Sequence, residues 1–134
     1  MDLSDYTIAV IGLGYVGLPL AVEFGKIRPV VGFDLNAARV AELREGFDHT
    51  QEVSTEDLAT AKHLSYSCSP EDLGACSVFI VAVPTPIDTA KRPDITLLKR
   101  ASETVGNAIR RGGVVIFEST VYPGCTVNDC VPII

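Results

Sequence analysis

Histidine occurs only twice and cysteine four times in these 134 residues. Cys68, Cys76, Cys125 and Cys130 form no Cys-x-x-Cys pair, and neither His49 nor His63 completes a ligand set with zinc spacing. No metal site is expected. Basic residues are also scarce: 11 Lys and Arg stand against 17 Asp and Glu, a net charge of −6. That balance excludes the diffuse basic surface that grips nucleic acid or anionic lipid, so any anionic ligand must be held locally. No apolar run approaches the ~20 residues that a bilayer crossing needs, and the start of the chain lacks the basic and apolar regions of a signal peptide. The expectation is a cytoplasmic protein with reduced, partly buried thiols.

What is present is ordinary for a folded globular protein: 47% hydrophobic and 21% charged residues. The length suits one domain with a real core. Five short apolar runs rich in β-branched residues, at 6–11, 30–34, 64–67, 78–83 and 114–118, predict strands. Between them helices are expected over 15–25, 36–45, 55–61, from Pro70, and over 95–110. Ser69 ahead of Pro70 reads as a helix cap, Asp94 can cap the last helix, and Gly112 with Gly113 closes it. Strands alternating with helices call for a parallel sheet covered on both faces, a Rossmann-type doubly wound α/β fold truncated after about five strands. The chain stops where a helix after the fifth strand should begin, so it is expected to be cut from something longer. An exposed fifth-strand edge would bring modest stability or self-association.

The strongest motif is Gly12-Leu13-Gly14-Tyr15-Val16-Gly17, which follows the first strand and opens the first helix. Gly12 permits a tight turn, Gly14 lets backbone approach a pyrophosphate, and Gly17 allows close helix–strand packing. The helix start then offers N–H groups and a positive dipole end to an anion, which suits an acidic protein. Pro19 is tolerated there because the first turn has no intrahelical acceptors to lose. Asp34, at the end of the second strand, is placed to accept hydrogen bonds from adenosine ribose hydroxyls. Its charge, followed by Leu35 and not by an arginine, favours NAD over NADP. The bland alternatives are a ligand-free turn for the glycines, a helix N-cap for Asp34, and a solvated helix face for Arg39 in place of an adenosine contact.

Three segments carry a family resemblance: Ile11-Gly12-Leu13-Gly14-Tyr15-Val16-Gly17-Leu18-Pro19-Leu20-Ala21, Val83-Pro84-Thr85-Pro86 and Glu118-Ser119-Thr120-Val121. Through them nearly the whole chain resembles the NAD-binding domain of the UDP-glucose/GDP-mannose dehydrogenase family. Pro84 to Asp88, Arg92 to Asp94 and Glu118 to Thr126 look like the UDP-N-acetylglucosamine or UDP-N-acetylgalactosamine 6-dehydrogenases of capsule, Vi-antigen and O-antigen synthesis. Such enzymes oxidise a C6 alcohol to a carboxylate in two NAD-linked steps, through an aldehyde and a cysteine-bound thioester.

The resemblance implies that residues 1–134 are the N-terminal part of a longer dehydrogenase, without its central helix and C-terminal UDP-sugar domain. The full-length enzyme would be a homodimer and this piece a monomer in dilute solution. Pro84, Thr85 and Pro86 would line the nicotinamide side, and Ser119, Thr120 and Val121 would touch cofactor and substrate. Thr120 would take a supporting chemical role, positioning a water or a sugar oxygen, with a backbone-satisfied loop hydroxyl as its alternative. Lys91 and Arg92 read as a charged loop before they read as contacts to the UDP phosphates.

Relatives carry glutamate near the positions of Val127 and Asn128, and any role of that glutamate is in doubt here. The family's nucleophilic cysteine is not among these residues. Cys125 reads as a packed thiol, and the chain alone is expected to be inactive on sugars. A stand-alone NAD-responsive module is the competing class, and other dehydrogenases share the fold and the glycine motif.

Overall fold

The computed structural model describes residues 6–84, 94–118 and 131–134. Five strands, β1 (Ile8–Ile11), β2 (Val30–Phe33), β3 (Leu64–Ser67), β4 (Val78–Val81) and β5 (Val114–Phe117), form one sheet in the order β3-β2-β1-β4-β5. Every pairing is parallel. The register aligns the ends on which a ligand is expected: Ile11 sits opposite both Phe33 and Val81. All five strands fall inside the predicted runs, shortened at the ends by up to two residues where the chain leaves the ladder.

Side-chain alternation divides the core in two. Ile8 and Val10 of β1 join Leu18, Ala21 and Val22 of helix α1 (Gly17–Gly25), with Ile80 of β4 and Leu58 of α3 (Thr55–Thr60) in the same cluster. Ala9 and Ile11 point the other way, with Phe79 and Val81, into a cluster capped by Leu98, Ala101 and Val105 of α4 (Thr96–Ala108). A strand buried on both faces has no polar side to show, which is why these runs read as continuous apolar stretches. β5 lies at one edge of the sheet among the described residues and is half covered, with Val114 and Ile116 exposed.

Several expectations at helix ends are corrected. The segment from Pro70 is a single 3₁₀ turn, Pro70–Leu73, because Gly74 and Ala75 turn the chain at once toward Cys76, whose amide bonds to the Leu73 carbonyl at 3.0 Å. Ser69 does not cap it: its hydroxyl is taken by the nearby Glu71 carboxylate. α4 ends at Ala108, two residues before the expected end, since Ile109 is extended (ψ 140) and packs on the core. Gly112, at φ +91, serves the following turn into β5 and not the helix end. The N-cap of α4 is Ile95 and not Asp94, which stands one residue ahead and accepts from the Thr96 amide at 2.9 Å and its hydroxyl at 2.6 Å. The Thr96 hydroxyl, followed by its amide, lowers the Asp94 carboxyl below its ordinary range.

Of the cysteines, Cys76 is buried and Cys68 is exposed, so the expected partial burial holds for one and not the other. Cys125 and Cys130 lie outside the described residues. No helix among the described residues is long and apolar enough to cross a membrane.

Candidate functional site

Strand order reverses beside β1: the chain runs outward through β2 and β3, then crosses back to β4 and β5. At such a switch point the loops leaving adjacent strands diverge and open a crevice beyond the carboxyl ends of the sheet. A cavity of about 290 Å³ lies there, its wall including Gly12, Gly14, Asp34, Arg39, Pro84 and Leu97.

The glycine turn forms one wall. Gly12 has φ +99, a left-handed backbone that side chains resist, and its amide bonds to the Phe33 carbonyl at 2.8 Å. Gly17 lies so close under the turn that a Cβ there would meet the Gly12 carbonyl oxygen at 1.7 Å. The tight packing expected of this glycine is thus against the turn itself. Gly14 differs: a Cβ built on it meets nothing within 4 Å, so the space above it is open. α1 begins at Gly17, with Tyr15 and Val16 in the turn before it, both exposed. In its first turn Leu18 donates to the Gly14 carbonyl at 3.1 Å and Pro19 has no amide hydrogen, and the start of the helix stands beside that open space.

Asp34 joins the turn to β2. One carboxylate oxygen accepts from the Leu13 amide at 3.0 Å, the other from the Asn36 amide at 2.9 Å. The cap of α2 (Ala37–Arg44) is Asn36, which accepts from the Ala38 and Arg39 amides. The N-cap alternative for Asp34 therefore fails, and its carboxylate sits on the cavity wall.

Arg39 is not on a solvated helix face. It is 7% exposed, and its Nε donates to the Leu13 carbonyl at 2.9 Å while Nη1 donates to Glu42 and Asp48, each at 2.8 Å. The helix start carries the guanidinium inward because α2 packs its Arg39, Val40 and Leu43 face toward the sheet.

Asp48, with a fully buried side chain, also accepts from the Thr50 hydroxyl and amide and from the Glu52 and Val53 amides. Burial opposes its charge, but these bonds from Thr50, Arg39 and Val53 outweigh burial and hold its carboxyl at about 2. Glu42 is lowered too, first by the His49 amide and then, against some desolvation, by the His49 ring and Arg39.

The structure thus brings together Gly12, Leu13, Gly14, Asp34, Arg39 and Pro84 on one cavity. Tyr15, Val16 and Gly17 adjoin it through the turn. Thr85, Pro86, Lys91, Arg92, Ser119, Thr120, Val121, Val127 and Asn128 lie outside the described residues. Two sets of residues were not legible beforehand. Leu97, Ala101 and Thr104 of α4 also line the cavity, and their spacing on one helix face was the available signal. Asp48 and Glu42 hold Arg39, yet Asp48 lies in a stretch that reads only as a polar loop.

Comparison with known proteins agrees with this geometry. Residues 6–134 match the model of the UDP-glucose/GDP-mannose dehydrogenase family, NAD binding domain. The chain is 58% identical over 132 residues to a UDP-N-acetyl-D-glucosamine 6-dehydrogenase of Pseudomonas aeruginosa, covering 98% of this chain and 31% of the relative. With its counterpart from Salmonella typhi the identity is 54%, at the same coverage. Among solved structures, the UDP-D-ManNAc dehydrogenase of Pyrococcus horikoshii superposes with a TM-score of 0.82 at 37% identity, over 90% of this chain and 30% of that one. The chain therefore spans about a third of the length of these relatives. A glycine turn under a ligand-sized opening, an acid at the end of β2 and a match along nearly the whole sequence lead to one assignment: this chain belongs to the UDP-glucose/GDP-mannose dehydrogenase family and carries its NAD-binding domain.

Proposed function

We propose that this chain is the cofactor half of a nucleotide-sugar 6-dehydrogenase that oxidises the C6 alcohol of a UDP-N-acetylhexosamine to a uronic acid for surface polysaccharide synthesis. The observation that carries the cofactor half is the open space over Gly14 beside the Asp34 carboxylate, on a single cavity wall. A pyrophosphate fits where no side chain stands, next to the start of α1. Asp34 keeps acceptor capacity for ribose hydroxyls beyond its bonds to Leu13 and Asn36, and Arg39, Leu97, Ala101 and Thr104 bound the adenosine side. NAD, when bound, supplies the hydride acceptor.

Pro84, with Thr85 and Pro86, is assigned to the nicotinamide side. Ser119, Thr120 and Val121 are assigned to cofactor and substrate, with Thr120 positioning a water or the sugar's oxygen. The substrate reading rests on the names of two relatives that are more than half identical to this chain. The nucleophile, base and sugar site belong to further residues of a longer homodimeric protein in the cytoplasm. This piece by itself turns over no sugar, because catalysis needs those groups and the cofactor in one held geometry.

Calorimetric titration of the folded chain with NAD and NADP tests the cofactor half: saturable binding that prefers NAD is expected, and no binding by a folded chain overturns it. For the substrate half, the longer protein should form two NADH per UDP-N-acetylhexosamine consumed. Reduction of NAD with UDP-glucose alone would move the substrate to the unsubstituted sugar.

A further inference from the structure

We propose that Asp48 is a positioning residue for the cofactor: with its carboxylate wrapped by residues 48–53, it fixes the Arg39 guanidinium against the glycine turn and so pre-orders the adenosine side of the cavity. The inference rests on the reading that this cavity takes the adenosine of NAD.

Arginine has a long, flexible side chain, and a cavity wall built from one is only as well placed as its anchors. Arg39 has three. Leu13 takes Nε through its carbonyl at 2.9 Å, Glu42 takes Nη1 from one turn along the same helix, and Asp48 takes Nη1 from outside the helix altogether. Glu42 moves with α2 and is shared with His49, whose Nδ1 lies 2.7 Å from it. Asp48 is the side-chain anchor that ties the guanidinium to a segment outside α2.

That anchor is rigid for reasons visible around it. The two Asp48 oxygens accept from Arg39, from the Thr50 amide and hydroxyl, and from the Glu52 and Val53 amides. Gln51 is held at φ 59, a left-handed conformation unusual for a side-chain-bearing residue and maintained by this ring of bonds. Val53 then plugs into the core beside Leu58. From the core the path runs through residues 48–53 to Arg39, to the Leu13 carbonyl, and through the Leu13 amide to Asp34. Ribose acid, glycine turn and guanidinium therefore share one hydrogen-bonded circuit, and Asp48 is its only buried acid. The Arg39 Nη2 is itself buried and makes no hydrogen bond among the described residues, so the guanidinium is not saturated by the protein.

A merely structural Asp48 would lower stability without coupling to Arg39 in ligand affinity, and a double-mutant cycle on binding separates the two. NAD and ADP-ribose are titrated calorimetrically into the chain and its Asp48→Asn, Arg39→Ala and doubly substituted forms, with thermal melts confirming folding. Asp48→Asn should weaken both ligands alike, by about 10-fold, and add little to the loss already caused by Arg39→Ala. Unchanged affinity in folded Asp48→Asn, or losses that simply multiply, overturns the proposal. Should Asp48→Asn fail to fold, Thr50→Val removes one donor to the same carboxylate. It should then cost about 3-fold in affinity in the Arg39 background and nothing in the Arg39→Ala background; any other pattern overturns the proposal. If the folded parent chain binds neither ligand, the functional reading itself fails and this inference with it, an outcome distinct from parent-like binding by the variants.

Discussion

The Asp34 carboxylate accepts a hydrogen bond from the Leu13 backbone amide at 3.0 Å, joining residues 21 apart in sequence. The acid that is assigned to the ribose also braces the turn assigned to the pyrophosphate. Removing it should therefore act on both. Asp34→Asn keeps an acceptor for the Leu13 amide and removes the charge, whereas Asp34→Ala removes both. Asp34→Asn is expected to reduce the preference for NAD over NADP at modest cost in affinity. Asp34→Ala should abolish the preference and lose NAD affinity by about 10-fold or more, the scale of charged hydrogen bonds of about 1.5–3 kcal/mol. Titration with both dinucleotides reads the difference, and an unaltered preference in Asp34→Ala would remove Asp34 from the site.

Gly14 and Gly17 should respond to alanine in opposite ways. At Gly14 a methyl group meets open space, so Gly14→Ala is expected to melt close to the parent chain while binding NAD at least about 10-fold more weakly. At Gly17 the same methyl would lie 1.7 Å from the Gly12 oxygen, and helix and turn must separate to admit it. A destabilisation of about 1–3 kcal/mol or more is expected from overpacking of this kind. Parallel melts and titrations decide it; equal melting temperatures for the two variants would contradict the packing described here.

Asp48 predicts a particular acid sensitivity. Its carboxyl lies at about 2 in the folded chain against an ordinary 3.8, so as pH falls the unfolded chain takes up the proton first. The stability that Asp48 contributes is complete above its unfolded value, shrinks as pH falls from 3.8 toward about 2, and is lost below that. The contribution is on the order of 2 kcal/mol. Unfolding free energies of the parent and of Asp48→Asn, measured by urea titration from neutral pH downward, should differ most near neutrality and converge in acid. A gap that stays constant with pH would mean that Asp48 is not a charged anchor.

Thiol labelling should separate the two described cysteines. Burial pushes the Cys76 thiol from an ordinary 9.0 up to about 11, and at neutral pH that leaves about a hundredfold less thiolate, in addition to the steric block. Peptide mapping after a short maleimide pulse should find Cys68 modified and Cys76 protected until denaturant is added. Rapid native labelling of Cys76 would show that the α4 face of the sheet opens readily.

The strands, their parallel direction and the glycine turn were legible in the sequence because their causes are local: continuous apolar runs, strands alternating with helices, and glycines at a fixed spacing. Asp34 was legible because an acid at the end of β2 has a known distance from such a turn. Helix ends were less so. Ser69 looked like a cap, and only its neighbour Glu71, competing for the hydroxyl, decided otherwise. Ile109 looked helical until packing on the core drew it extended.

The surroundings of Arg39 were decided by tertiary structure alone. On a helical wheel it is a charged residue near the start of α2, with nothing to say whether water or protein surrounds it. Its burial follows from Asp48, nine residues on, whose carboxylate gathers five donors in a segment that reads as a plain polar loop. Leu97, Ala101 and Thr104 likewise share a helix face by sequence, but only the crossover from β4 to β5, which carries α4, brings that face to the cavity. Periodicity and motif spacing are properties of neighbouring residues and can be read along a chain. The partner of a buried charge is chosen by where distant segments meet, and that is settled only when the sheet has assembled.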